Sequence, residues 1–247
     1  MSRRLVVLPT PAAVAEATAD RVVAAARNAI RRRGVFRVAL SGGTTPLLVY
    51  PLLLAAPRLA AVDWSLAEFF WADERAVPPT HRESNYNAAL AVFLSDLPGV
   101  RLSAVHRMPA ERLDQDAAAR DYQAEIARAF GIPAGATTPP VFDLIWLGMG
   151  RDGHTASLFP GSAALAERRR WVVGNWAPGP AMWRMTLTYP VLNAAREALF
   201  QVCGPEKEAA FAAVWAGSHQ LPAAAVRARR TLWLVDRAAA HGAQDAA

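Results

Sequence analysis

Residues 141–162 read VFDLIWLGMGRDGHTASLFPGS. From Val141 to Leu147 the run is apolar except at Asp143, a length that suits a strand buried on both faces, as in a parallel sheet covered by helices. Gly148 and Gly150 end that strand, and glycine there permits a positive φ and lets another group approach the backbone closely. Asp152, Gly153, His154, Thr155 and Ser157 follow within six residues. In open α/β sheets ligands bind beyond the carboxyl ends of the strands, so this polar cluster stands where chemistry is expected. His154 is the candidate general base, and Asp152, two residues before it, is the group to orient or charge-stabilise the imidazole. The plainer alternative for His154 is a core or capping histidine.

Gly148, Gly150 and Gly153 also satisfy G-x-G-x-x-G, the dinucleotide fingerprint. The rest of the context argues against a nicotinamide site. The next strand candidate, residues 171–176, ends without a carboxylate to hold a ribose. Polar His154 and Thr155 stand where the fingerprint's helix begins with apolar residues.

Outward from this centre the chain alternates strands and helices. Leu5 to Leu8 is an expected strand; Thr10-Pro11 reads as a cap and first residue of a helix ending at Arg33, before Gly34. Val35 to Leu40 is the next strand, and Ser41-Gly42-Gly43-Thr44-Thr45-Pro46 follows at once. Two glycines before a helix capped by Thr45 and opened by Pro46 would expose backbone N–H groups as a cradle for phosphate or an oxyanion. The G-K-[ST] of a Walker loop is absent. Ala67 to Trp71 is a further strand, with Asp73, Glu74 and Arg75 at its end. Arg75 is either a bidentate phosphate ligand or a surface partner of its acidic neighbours.

Further along, a short helix is expected over Asn87 to Leu94, a strand near Ala104 to Arg107, and an amphipathic helix from Glu111 to Phe130. Trp171 to Trp176 and Arg184 to Thr188 read as strands, with Arg184 either an anion ligand or an edge-strand residue in solvent. After the strand Leu199 to Val202, Gly204-Pro205-Glu206-Lys207 opens a helix. Lys207 is the only lysine of the chain. A cation in a first helical turn is disfavoured by the dipole, typically by ~0.3–1 kcal/mol, unless an anion binds there. Thr231 to Val235 is the last strand, followed by a short helix over Asp236 to Ala240 and a frayed end from His241 to Ala247.

GMGRDGHTASLFPGS resembles the signature of the 6-phosphogluconolactonase family, and SGGTTP, WADERAVP with Ser84-Asn85, RMTLT and the G-x-x-K ending at Lys207 follow in family order. The resemblance covers nearly the whole chain. It implies a single α/β domain over residues 1–247, a mainly parallel sheet flanked by helices, resembling the fold of the sugar-phosphate isomerases and ribose-5-phosphate isomerase A. It implies hydrolysis of 6-phospho-D-glucono-1,5-lactone to 6-phospho-D-gluconate without cofactor or metal, with His154 and Asp152 catalytic. Ser41, Gly42, Gly43, Thr44, Thr45, Arg75, Arg184 and Lys207 would then bind the substrate and its phosphate. The related glucosamine-6-phosphate isomerases and deaminases share the glycines and the Asp-Gly-His, with the residue at Asp73 transferring protons; Arg75 and the TASLFP continuation count against that alternative. One departure is plain: the family's Pro-Lys-Pro-Pro is here Pro178-Gly179-Pro180, so a lysine is missing, and Arg184 or Arg151 is left to compensate.

Length and composition agree with a globular chain rather than a disordered one. A chain of 247 residues, 53% apolar and 19% charged, can bury a full core. No run has the length of a membrane span, and Arg3-Arg4 with LVVL is too short for a signal peptide, so a cytoplasmic protein is expected. Cys203 lies in an apolar strand run and reads as core. The net charge of +6 raises nucleic acid as a partner. The three arginine clusters sit at element ends, however, and no aromatic-basic interleaving accompanies them. An anionic small substrate accounts for the sign without nucleic acid or membrane, and a monomer is the favoured state.

Overall fold

The computed structural model describes residues 2–179, 181–218 and 220–242. Six strands form a wholly parallel sheet: β1 (Ser2–Leu8), β2 (Phe36–Leu40), β3 (Ala67–Trp71), β5 (Leu144–Leu147), β8 (Ala198–Val202) and β9 (Arg230–Asp236), in the order β1-β9-β8-β5-β2-β3. Strands β4 (Asp73–Arg75), β6 (Val172–Ala177) and β7 (Met182–Leu187) form a second, antiparallel sheet in the order β4-β7-β6. The helices are α1 (Pro11–Arg33), α2 (Thr44–Leu47), α3 (Tyr50–Leu54), α4 (Asn85–Val92), α5 (Gln115–Ala129), α6 (Tyr189–Ala194), α7 (Glu208–Trp215) and α8 (Arg237–Ala240). Helix α1 packs against β2, β8 and β9 of the large sheet, and α5 against β6 and β7 of the small one.

Strand β5 is buried at every position, as its apolar run requires when both faces are covered. The strand starts later than Val141: Val141 is exposed, and Asp143 instead ties its backbone and carboxylate to the backbone of Arg37, at 3.0 Å each. Helix α1 has the expected ends. Thr10 accepts the N–H of Ala13, and Gly34 closes the helix in the left-handed conformation at φ 74°, where a side chain would be strained.

The second sheet was not legible in the sequence, and Ala72 shows how it arises. Its N–H donates to Leu40 in the large sheet, and its carbonyl accepts from Leu187 in the small one, both at 2.8 Å. The chain thus passes from β3 to β4 through one residue that serves both sheets. Other boundaries move for local reasons. Helix α4 begins at Asn85 because Ser84 caps it, accepting from Asn87. Helix α5 begins at Gln115 rather than near Glu111 because Asp114 is its cap. The strand expected over Ala104 to Arg107 shrinks to a single bridge between Phe69 and Val105 behind a short 3₁₀ turn. Residues 243–247 of the expected frayed end lie outside the described residues.

Beneath α3 and α4 an aromatic cluster fills the core. Phe93 stacks on Tyr50 at 5.0 Å between centroids and meets Trp64 and Phe69 edge-on at 5.8 and 6.0 Å. Because Phe93 is 1% exposed, Phe93→Ala removes contacts on three sides that rigid rings cannot close. The expected destabilisation is about 3–5 kcal/mol, read as a lower urea midpoint with an unchanged slope.

Candidate active site

The loops at the carboxyl ends of β2, β5 and β8 and the start of β4 enclose a cleft of about 250 Å³. Ser41 to Thr45, Asp73, Arg75, His154, Arg184 and Lys207 all line it. Four distant stretches therefore converge as their positions after separate strands imply. Asp152 does not line the cleft; it stands behind His154.

His154 Nδ1 is 2.5 Å from Asp152 Oδ1, which also accepts the His154 backbone N–H at 3.1 Å. A carboxylate accepts from the Nδ1–H tautomer, which leaves the Nε2 lone pair as the basic end of the ring. Phe159 packs against the other side of the ring, 4.7 Å away. Partial burial alone would raise the carboxyl pKa of Asp152. The charge and hydrogen bonds of His154 outweigh that and hold it below the ordinary range. The sign follows: with a lowered folded value, the attraction is in force above the unfolded carboxyl pKa. It is lost as pH falls through the folded value.

Gly150 makes this pair possible. A Cβ at that position would stand 2.1 Å from His154 Nδ1 and 2.6 Å from Asp152 Oδ1. Its N–H donates to the His154 carbonyl at 2.9 Å, so Gly150 is not a free oxyanion donor. Gly42 is constrained in the same way, since a Cβ there would fall 1.8 Å from Asn85 Oδ1. The turn after it differs from expectation: Gly43, at φ 93°, is the cap of the short helix α2, which starts at Thr44 with no side-chain cap from Thr45.

The cationic side is built on β4 and β7. Arg75 and Arg184 are direct register partners, so two guanidiniums are held side by side. Arg75 Nη1 donates to the Glu83 carbonyl at 2.5 Å and to Asn85 Oδ1 at 3.0 Å. Arg184 lies 3.9 Å from Asp73 Oδ2 and its buried Nε has no hydrogen-bond partner. Burial lowers the pKa of Arg184; Asp73 opposes that shift and Arg75 adds to it. Lys207 ends a 3₁₀ turn, Pro205–Lys207, and stands at the cap position of α7 rather than in its first turn. It has no ion-pair partner among the described residues. Arg151 is exposed and stands outside the cleft, whereas Arg184 lines it; Pro180 of that departure lies outside the described residues.

The two acids beside Arg75 divide their work. Glu74 is buried and accepts four hydrogen bonds, from Ser84 Oγ and the N–H groups of Arg75, Asn85 and Tyr86. It fixes the start of α4. Asp73 accepts from Ser157 Oγ at 2.6 Å and faces Asn85 Nδ2 at 3.5 Å. Sequence reasoning missed Asn85 as a site residue, along with the roles of Ser157 and Gln201. Gln201 accepts from Trp146 and donates to the Thr45 carbonyl; a lone amide within the apolar run of β8 was its signal.

A parallel α/β sheet with an aspartate-held imidazole on one side of a cleft and paired guanidiniums on the other has the layout of an enzyme for small anions. The family described as "Glucosamine-6-phosphate isomerases/6-phosphogluconolactonase" matches residues 9–233. The chain is 38% identical over 235 residues to the 6-phosphogluconolactonase of Streptomyces coelicolor, covering 92% of this chain and 89% of that one. It is 36% identical over 246 residues to the one from a Nostoc species, covering 97% and 98%. The solved 6-phosphogluconolactonase from Trypanosoma cruzi superposes with a TM-score of 0.84 at 29% identity, covering 98% and 97%. The chain belongs to the 6-phosphogluconolactonase family.

Gly150→Ala tests the close approach. The added methyl must displace the imidazole or the carboxylate, so kcat should fall by about 10²-fold, the cost of a misplacement near 1 Å. The unfolding midpoint should change little, because the cleft rather than the core absorbs the change. Retention of full activity would contradict the assigned role of this glycine.

Proposed function

We propose that this protein hydrolyses 6-phospho-D-glucono-1,5-lactone to 6-phospho-D-gluconate, with His154 as general base. The observation that carries this reading is that His154, held by Asp152, lines the same cleft as the register partners Arg75 and Arg184. His154 Nε2 takes a proton from water as the oxygen attacks C1 of the lactone. The tetrahedral intermediate collapses with cleavage of the bond from C1 to the ring oxygen, and the imidazolium returns its proton to that oxygen. Asp152 holds the ring in the productive tautomer and steadies the imidazolium. Arg75, Arg184 and Lys207 hold the phosphate; bidentate guanidinium contacts suit its geometry. The amides of Gly42 and Gly43 make no backbone hydrogen bond among the described residues and are the donors assigned to the oxyanion.

The isomerase alternative asks Asp73 to move protons at carbon. Asp73 lines the cleft, but its Oδ2 already accepts from Ser157 and faces Arg184, which suits a carboxylate that positions other groups. The reading requires no metal or cofactor, and among the described residues no cluster of His, Cys, Asp and Glu could hold a metal ion. No helix among them is long and apolar enough to cross a membrane. The proposal includes a monomer acting in the cytoplasm; that the chain is one domain over residues 1–247 is supported by a core that runs continuously from α1 to α8.

The test is hydrolysis of freshly generated lactone, measured against its spontaneous opening in the same buffer. His154→Ala should lower the enzymatic rate by about 10²–10⁴-fold. Arg184→Ala should raise KM for the phosphorylated lactone and leave an unphosphorylated lactone unaffected. Unchanged turnover in the His154 variant, or equal losses on both lactones in the Arg184 variant, would overturn the corresponding role.

A further inference from the structure

At the opposite, amino-terminal edge of the large sheet lies a second hollow of about 450 Å³, lined by Arg21, Arg32, Arg33, Arg196, Arg229 and Arg230. Two of the three arginine clusters that seemed scattered in sequence meet here. Backbone hydrogen bonds fix the platform: Arg196 N–H to Phe142, Arg229 N–H to Ala195 and Arg230 N–H to Arg196. These residues therefore belong to the rigid edge of the sheet and not to a mobile loop.

The charges do not balance. Two buried carboxylates lie beneath the arginines, and each is shared. Glu197 pairs with Arg21 and Arg230, and Asp143 pairs with Arg33 and Arg196. Arg32 and Arg229 have no carboxylate within 4.0 Å among the described residues. Six guanidiniums against two carboxylates leave a surplus of four positive charges, most of the net +6 of the chain. The carboxyl end of α1 accounts for cations at Arg32 and Arg33. It does not account for Arg196, Arg229 and Arg230, which come from the strand edge. The Nε of Arg196 is spent on Asp143 Oδ1 at 3.3 Å, outside good hydrogen-bond geometry.

We propose that this hollow is a second anion site, separate from the catalytic cleft, that binds an oligophosphate chain. Several guanidiniums facing one concave space match a ligand with several phosphate groups, each able to accept a forked pair of N–H bonds. No aromatic side chain lines the hollow, so nothing there stacks on a base as single-stranded nucleic acid sites do. The phosphate chain itself is what is read, whether free or carried as the tail of a nucleotide. This inference does not depend on the proposed lactonase activity.

Calorimetric titration of the whole protein with inorganic tripolyphosphate at low salt tests it. Arg32→Gln/Arg229→Gln removes the two guanidiniums that pair with no acid, so the fold should persist, checked by an unchanged melting temperature. The double variant should weaken tripolyphosphate at least tenfold while turnover measured without it stays unchanged. Lys207→Gln, on the catalytic cleft, should leave this binding event intact, and a nucleoside triphosphate should bind within tenfold of tripolyphosphate. Arg229→Lys should give an intermediate loss, since charge remains while the fork is gone. Full binding in the double variant, or loss of all binding in the Lys207 variant, would place the anion elsewhere. A DNA duplex that binds where tripolyphosphate does not would overturn the small-ligand reading.

Discussion

The site depends on one buried carboxylate, that of Asp73. It stands one residue past Ala72, the joint between the two sheets, and is 6% exposed. Its oxygens face Ser157 from the central stretch, Asn85 from α4 and Arg184 from β7. A buried charge is tolerated only when hydrogen-bonded and paired. This requirement draws three distant segments to one point. Arg184 is in turn a half-buried cation 3.9 Å from Asp73, so each offsets part of the other's desolvation.

Around that anchor the cleft separates two kinds of electrostatics. On one side an imidazole is kept in one orientation by a carboxylate and an aromatic ring. On the other, neighbouring guanidiniums repel each other, and Asp73, the carboxylate 3.9 Å from Arg184, is partly spent on a serine hydroxyl. Such a half-cleft gains more from binding a doubly charged phosphate than from binding a neutral sugar. The two glycines, Gly42 and Gly150, let these groups come within reach of the backbone. In both cases a methyl group would overlap the side chain that the site uses.

Much of this was legible in the sequence because it rests on local signals. The apolar run before Gly148 marked the central strand, and polar residues after four separate strands marked the edge where the cleft forms. The antiparallel sheet was not legible. It hangs on the two hydrogen bonds of Ala72, an apolar residue with no distinguishing pattern, and β4 is only three residues long. The division of labour between Asp73 and Glu74 was also hidden, because both are acids beside an arginine and only tertiary contacts tell a helix anchor from a cleft carboxylate. Asn85 looked like a helix-start residue, which it is; its second task appears only when Gly42 lies against it. The convergence of Arg32 and Arg33 with Arg229 and Arg230 likewise needs the sheet order, which places α1 beside β8 and β9.

The most direct test of the central claim is a crystal structure with 6-phosphogluconate bound. The phosphate should lie within hydrogen-bond distance of Arg75, Arg184 and Lys207, with the C1 carboxylate facing His154 Nε2 and the Gly42–Gly43 amides. A ligand bound the other way round, or a His154 whose Nε2 faces away from C1 with Nδ1 released from Asp152, would contradict it.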